Sequence, residues 1–193
     1  VQLTEEKISL NRMIDDLYLE AQRMAEEQNK SLELKTYKDF HDGDDFFTTD
    51  PEKMYNIYSK ILDNALKFTE EGFVELGYRY THPNALEFYV QDSGVGVPEN
   101  STHLVFERFR QLEQSLTRKH EGLGVGLSIA RGLVRCLGGE MDFHSEPNKG
   151  STVLFNLPYS SGEHEGKEEQ KGAVSKDLAG KTILIVEDDV SNY

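Results

Sequence analysis

Three glycines, Gly122, Gly124 and Gly126, occupy every second position and lead directly into a stretch with helical periodicity. A backbone without Cβ atoms can approach an anion closely and present its N–H groups. The amino end of the following helix adds a positive potential. The stretch therefore favours a phosphate-binding loop, and a flexible loop before an ordinary amphipathic helix is the alternative. A dinucleotide fingerprint is excluded because Leu127 stands where its third glycine belongs.

A second set of candidate residues falls on a helix predicted from Pro51 to about Thr69, with Asp50 as its N-cap. At roughly 100° per residue, one broad face is apolar and consists of Met54, Ile57, Tyr58, Ile61, Leu62, Ala65 and Phe68. A narrow polar arc beside it consists of Lys53, Lys60, Asn64 and Lys67. In a chain with a net charge of −14, these lysines could supply the local cations that an anionic ligand needs. A solvated helix margin is the alternative.

Asp92 ends the second strand of the strongest predicted hairpin, which consists of Gly72–Thr81 and Ala85–Asp92. Strand alternation places its side chain on the inward, apolar face. A buried carboxylate needs partners, and a glycine-rich turn, Ser93–Pro98, follows at once. The carboxylate is therefore a candidate acceptor for a donor group on a ligand. An aspartate that closes its own turn is the alternative.

The remaining elements must bring these residues together. Further predicted elements are a helix at Glu5–Asn29, strands at Leu32–Tyr37 and Phe46–Thr49, and a hairpin of Gly139–Glu146 with Ser151–Leu157. The segment Asn100–Glu121 has no regular period, which favours a lid or a loop. Cys136, the only cysteine, excludes a disulfide framework and is expected to be a buried thiol.

The composition divides the chain into a domain at 1–159, a polar linker at 160–178 and the start of a second domain at 179–193. In that last segment a strand, Ile183–Val186, runs into the acidic cluster Glu187–Asp189, which suits Mg²⁺. The negative charge argues against nucleic acid or an anionic membrane as a partner. With no export signal or membrane-spanning run, we expect a cytoplasmic location.

Four motifs in order resemble those of the ATP-binding catalytic domain of sensor histidine kinases, in the Bergerat-fold superfamily. Asp63–Thr69 is similar to the N box and Asp92–Gly96 to the first glycine box. Phe106–Phe109 is similar to the F box of the ATP lid, and Gly122–Leu127 to the second glycine box. Gly150–Thr152 resembles a last short glycine element near the nucleotide. The acidic tail resembles the start of a receiver domain, which implies a hybrid kinase.

The resemblance implies ATP and Mg²⁺ as cofactors. It implies that Asn64 ligates Mg²⁺, that Lys67 contacts phosphate and that Asp92 accepts a hydrogen bond from the adenine amine. It further implies nucleotide contacts from the remaining motif positions, namely Gly94, Gly96, Phe106, Arg108, Phe109, Gly122, Leu123, Gly124, Val125, Gly126, Leu127 and Thr152.

The expected fold is α/β (α+β), a two-layer sandwich in which helices cover one face of a mixed, mostly antiparallel sheet. The expected function is transfer of the γ-phosphate of ATP to a histidine on separate dimerisation helices of the same protein. A receiver domain or response regulator would be a further partner, and the fragment itself is expected to be monomeric, without nucleic-acid or direct membrane contact.

Two departures from the family pattern keep alternatives open. Lys60 stands where the family usually carries an asparagine or acidic residue, and none of the six histidines lies in a phospho-acceptor setting. A Bergerat-fold ATP hydrolase of the gyrase or chaperone kind is one alternative, although a charged lysine at that position cannot activate water. A non-catalytic nucleotide-sensing module is the other.

Overall fold

A computed structural model of the chain describes residues 3–81, 84–107 and 125–159. These residues form a sheet covered by three helices, with a small second sheet near the amino terminus. In chain order the elements are β1 (Glu6–Ser9), α1 (Leu10–Glu27), β2 (Glu33–Lys38), β3 (Phe46–Thr49), α2 (Pro51–Phe68), β4 (Phe73–Thr81), β5 (Ala85–Asp92), a 3-10 helix (Glu99–Phe106), α3 (Gly126–Cys136), β6 (Glu140–Glu146) and β7 (Gly150–Pro158).

The main sheet has five strands in the order β2-β4-β5-β7-β6. Strands β2 and β4 are parallel, and the other three neighbouring pairs are antiparallel. The short strands β1 and β3 pair antiparallel in the second sheet. The predicted mixed, mostly antiparallel sheet is confirmed.

The core lies between one face of this sheet and the helices. Residues on this inner face alternate along the strands and are buried: Val74, Leu76 and Tyr78 on β4, Leu86, Phe88 and Val90 on β5, and Val153, Phe155 and Leu157 on β7. The ring of Tyr58 on α2 packs edge-on against Phe88 and Phe155, which stack with their centroids 5.1 Å apart. The Tyr58 hydroxyl donates to the carbonyl of Gly77 at 2.9 Å, so its polar end is satisfied within the core.

Helix α2 is the central helix of this layer, and its first turn is held tightly. Asp50 caps the helix by accepting from the Lys53 N–H at 3.0 Å, and Pro51 occupies the first turn. Asp50 also forms an ion pair with the Lys53 ammonium and accepts from the Thr4 N–H at 3.0 Å. The predicted apolar face is confirmed except at its end, because Phe68 is exposed and Leu66 is fully buried in its place.

Three other expectations were wrong. The first predicted helix begins only at Leu10, because the residues before it form β1, and pairing with β3 overrides their helical tendency. Part of the segment expected to lack structure forms the 3-10 helix at Glu99–Phe106. Cys136 is exposed, because it lies about 240° around α3 from the buried Ala130.

Within the described residues no helix is both long and apolar enough to span a membrane. The predicted linker at 160–178 and the predicted receiver strand lie outside the described residues and stay predictions.

Candidate functional site

Asp92, at the end of β5, points to the inner face and is 9% exposed. Its Oδ1 accepts the Gly94 N–H at 2.8 Å. The backbone N–H of Ser151 and the hydroxyl of Thr69 lie near this carboxyl group, and the Thr69 hydroxyl donates its proton to the Ala65 carbonyl at 2.7 Å. Burial is the largest influence and raises the pKa of Asp92, while the Gly94 and Ser151 N–H groups and the nearby Thr69 hydroxyl act in the opposite direction. The carboxylate is therefore held in a low-polarity setting in which a further donor would stabilise it.

The turn after Asp92 is pressed against neighbouring backbone. A Cβ on Gly94 would overlap the carbonyl of Phe68 at the end of α2. Gly96 has a φ of +63°, and a Cβ there would overlap the carbonyl of Glu146. Glycine is therefore required at both positions by close approach, and at Gly96 also by the left-handed backbone. The turn has the bare surface that a flat ligand could lie against.

The β6–β7 hairpin supports this turn from the other side. The Asn148 N–H donates to the carbonyl of Val95 at 2.8 Å, and the Val97 N–H donates to Ser145 Oγ at 2.7 Å. The turn is also joined to α2, because the Val95 N–H donates to the Phe68 carbonyl at 3.3 Å. The residues around Asp92 are thus fixed both by the β6–β7 hairpin and by the end of α2.

Asn64 lies in the second half of α2 and is half-buried. It faces the start of α3, since a Cβ on Gly126 would lie 3.6 Å from Asn64 Nδ2 and 3.9 Å from the Lys60 carbonyl oxygen. Thr69, which contacts Asp92, follows Asn64 by five residues, or about 8 Å of helix rise. The asparagine, the last glycine of the loop and the buried carboxylate therefore lie at the same end of α2.

Among the predicted lysines, Lys67 is half-buried near this end, with its Nζ 5.3 Å from the centroid of the Phe68 ring. Lys53 is engaged with Asp50 at the other end of α2, about 16 Å of helix rise from Asn64. The expectation that Lys53 belongs to the same cationic group is therefore wrong. Of the predicted lysines, Lys60 and Lys67 lie within about one turn of Asn64 along α2.

Phe106 is the last residue of the 3-10 helix and packs against two other elements. The Arg131 guanidinium lies over its ring at 4.5 Å from the centroid, and the ring packs edge-on against Phe143 at 6.4 Å. These contacts attach Phe106 to α3 and β6. Val125 and Leu127, on either side of Gly126, are half-buried, and Leu127 packs against the core.

The strand register separates the two residues that follow Gly150. Asp92 is paired with Ser151, whereas Thr152 is paired with Gln91. Because neighbouring residues of a strand point to opposite faces, Ser151 shares the inner face with Asp92 and Thr152 lies on the outer face. The structure therefore places Ser151 beside the carboxylate, and the nucleotide contact implied for Thr152 stays a prediction. Arg108, Phe109, Gly122, Leu123 and Gly124 lie outside the described residues.

The fold and the site together define a class of two-layer α/β sandwich in which a long helix, a glycine turn and a buried aspartate converge at one end of the sheet. Family comparison matches residues 49–161 to the histidine kinase-, DNA gyrase B-, and HSP90-like ATPases. The chain belongs to this family.

Individual relatives are sensor kinases, and the chain is homologous to their catalytic domains. It is 36% identical over 163 residues to the signal transduction histidine-protein kinase BarA of Escherichia coli K12, which covers 82% of this chain and 17% of BarA. It is 33% identical over 168 residues to the sensory/regulatory protein RpfC of Xanthomonas campestris, which covers 84% of this chain and 23% of RpfC. The chain thus spans less than a quarter of the length of these relatives.

Solved structures share the fold. Full-length ShkA in complex with AMPPNP superposes with a TM-score of 0.69 at 22% identity, over 83% of this chain and 32% of ShkA. The mycobacterial sensor histidine kinase MprB superposes with a TM-score of 0.65 at 24% identity, over 81% of this chain and 98% of that structure. The predicted family and fold are confirmed.

Proposed function

We propose that this chain is the ATP-binding catalytic part of a hybrid sensor histidine kinase. In this proposal it binds Mg-ATP and donates the γ-phosphate to a histidine on dimerisation helices outside this chain, in two-component signal transduction. A receiver domain or response regulator would take the phosphate onward. The cytoplasmic location and the monomeric state expected from the sequence stay predictions.

One observation carries the proposal, namely that Asp92, Asn64 and Gly126 converge at the carboxyl end of α2. Asp92 is a buried acceptor beside a flat glycine turn, which fits an adenine ring with an exocyclic amine. Asn64 offers an amide oxygen, a ligand type that Mg²⁺ accepts, next to the start of α3. The amino end of α3 presents backbone N–H groups to a phosphate. A single nucleotide could contact the Asp92 carboxylate, Asn64 and the amino end of α3 at the same time.

Each residue then has a defined role. Asp92 selects adenine by accepting from its amine, and Gly94 and Gly96 keep the turn flat against the base. Asn64 would hold the metal ion, which would supply charge neutralisation on the phosphates, and Lys67 would add a positive charge nearby. Phosphoryl transfer depends mainly on positioning and electrostatic stabilisation, and these groups would contribute to both on the ATP side.

Lys60 distinguishes transfer from hydrolysis. Its backbone lies against the start of α3, one turn before Asn64, where a hydrolase of this family would carry a glutamate to activate water. A charged lysine cannot accept a proton. We therefore expect the chain to bind ATP, to hydrolyse it slowly and to take up no phosphate itself.

Two measurements test the proposal. Calorimetric titration with ATP, with and without Mg²⁺, should show Mg²⁺-dependent binding. Incubation with γ-labelled ATP should label the dimerisation helices when they are added, and leave the isolated chain unlabelled. Absence of ATP binding would refute the proposal, and rapid steady hydrolysis would favour the hydrolase alternative.

A further inference from the structure

Lys30, just after α1, reaches the carboxyl end of α2 from a distant part of the sequence. Its ammonium donates to the carbonyl oxygens of Leu66 at 2.5 Å, Lys67 at 3.2 Å and Thr69 at 2.9 Å. The side chain is only 8% exposed, and Glu70 lies 3.6 Å away as a partly solvated counter-charge. A buried ammonium with three carbonyl acceptors is fully used in hydrogen bonding.

The end of α2 has a specific need for this lysine. The last carbonyl groups of a helix have no partner within the helix, and a glycine in left-handed conformation commonly supplies the cap. Here the residue after α2 is Thr69, in an extended conformation with φ −113° and ψ 115°. The chain leaves the helix abruptly, and the Lys30 ammonium takes the place of the missing cap.

The backbone of Lys30 is itself fixed to α1. The Lys30 N–H donates to the Ala25 carbonyl at 2.9 Å, and the Asn29 N–H donates to the Glu26 carbonyl at 2.9 Å. Asn29 has a φ of 54°, in the left-handed region that asparagine tolerates. The lysine is therefore a bridge between the end of one helix and the end of the next.

The backbone that Lys30 holds is the backbone that shapes the Asp92 site. Thr69, whose carbonyl binds Lys30, has its hydroxyl close enough to Asp92 to influence the pKa of that carboxyl group, while the hydroxyl proton is donated to the Ala65 carbonyl at 2.7 Å. Phe68 lies between Lys67 and Thr69, whose carbonyl groups both bind Lys30. The Phe68 carbonyl accepts the Val95 N–H and limits how closely Gly94 can approach. A shift of this junction would move the carboxylate and the glycine turn together.

We propose that Lys30 is a positioning residue for adenine recognition, which it controls by fixing the junction between α2 and the Asp92 turn. This inference rests on the proposed function, because it concerns the same nucleotide site. It assigns to Lys30 no contact with the nucleotide. Loss of Lys30 should therefore affect the base-binding part of the site more than the phosphate-binding part.

The test compares Lys30→Met, Lys30→Gln and Lys30→Arg with the parent in three Mg²⁺-containing titrations, using ATP, GTP and inorganic tripolyphosphate. Lys35→Met is the matched control, since Lys35 is a partly exposed lysine on the next strand, 3.0 Å from Glu33. All variants are measured well below their unfolding temperature. If Lys30→Met does not fold, Lys30→Gln gives the result, because its amide can still donate to part of the carbonyl set.

We expect Lys30→Met to weaken ATP binding about tenfold, comparable to the loss of one hydrogen bond to a charged group. The ATP-to-GTP affinity ratio should fall by a similar factor, and tripolyphosphate binding should change by less than about threefold. Lys30→Arg should restore most of the ratio, and Lys35→Met should leave it at the parental value.

A folded Lys30→Met or Lys30→Gln with the parental ATP-to-GTP ratio would overturn the inference and leave Lys30 a purely structural residue. An equal loss for ATP and tripolyphosphate would overturn it as well. Failure of the proposed function is distinguishable, because the parent itself would then show no ATP binding.

Discussion

Asp50 offers the clearest quantitative prediction, since it ties the first residues of the domain to the helix that carries Asn64. It is 2% exposed and accepts from the N–H groups of Thr4 and Lys53, both at 3.0 Å. The side-chain hydrogen bond with the Lys53 ammonium, followed by the bond from Thr4, lowers the pKa of Asp50 from 3.8 to about 2. The proposed change is Asp50→Asn, which retains an N-capping oxygen but removes the charge.

The direction and the magnitude of the expected change in the free energy of unfolding follow from the lowered pKa of Asp50. A carboxyl group whose pKa is lowered on folding contributes stability above its unfolded value of 3.8, and this contribution is lost as the pH falls through about 2. The shift corresponds to about 2 kcal/mol at most. Because the amide oxygen of the substituted side chain keeps the N-capping hydrogen bond, we expect Asp50→Asn to lower the free energy of unfolding by about 1 kcal/mol at pH 7.

The assay is urea unfolding at pH 7 and near pH 2, with Glu52→Gln as the control. Glu52 is exposed, lies in the same helical turn and undergoes the same change in charge. The loss in free energy of unfolding caused by Asp50→Asn should shrink toward zero near pH 2, and Glu52→Gln should have little effect on this free energy at either pH. A deficit that is equal at both pH values, or equal in the two variants, would refute the electrostatic reasoning.

Three further predictions concern the site itself. Asp92→Asn should weaken ATP binding tenfold or more and lower the preference for ATP over GTP in calorimetry, and an unchanged preference would contradict the adenine role. Because burial raises the pKa of Asp92, the parent loses stability as its carboxyl group ionises, so the stability of this variant relative to the parent should improve as pH rises from about 4 to 7. Asn64→Ala should remove the Mg²⁺ dependence of ATP binding, and titrations that still differ with and without Mg²⁺ would disprove its role as a ligand. Gly94→Ala should lower both stability and ATP affinity, because the added Cβ would overlap the Phe68 carbonyl. The control Gly132→Ala, which has open space on α3, should raise the urea midpoint slightly. Equal effects of the two changes would count against the close-approach argument.

The parts of the fold that could be predicted from sequence are those with strong local periodicity. Helix α2 begins at the predicted Pro51 and ends within a residue of the predicted Thr69, because its N-cap and its long apolar stripe act locally. The hairpin of β4 and β5 and the inward direction of Asp92 follow from simple alternation. These features depend on near neighbours in the chain.

The features that could not be predicted depend on pairing between distant segments. Lys30 lies 36 residues from Leu66, and Thr4 lies 46 residues from Asp50. Local sequence patterns therefore cannot predict either contact. The choice between Ser151 and Thr152 depends on strand register, in which a shift of one residue exchanges the two faces. Helical periodicity alone could have indicated that Cys136 is exposed, because it lies about 200° around α3 from the buried Val134.

The close contact between the β6–β7 turn and the Asp92 turn constrains how this domain can vary in length. A Cβ on Gly150 would overlap the Asp92 carbonyl, and Asn148 is hydrogen-bonded to Val95. A surface hairpin turn usually accommodates inserted residues with little cost, but an insertion between Glu146 and Gly150 would displace the turn that we assign to adenine. This exposed hairpin is therefore a poor position for an epitope tag and a good one for a reporter dye, since its backbone is hydrogen-bonded directly to the candidate nucleotide site.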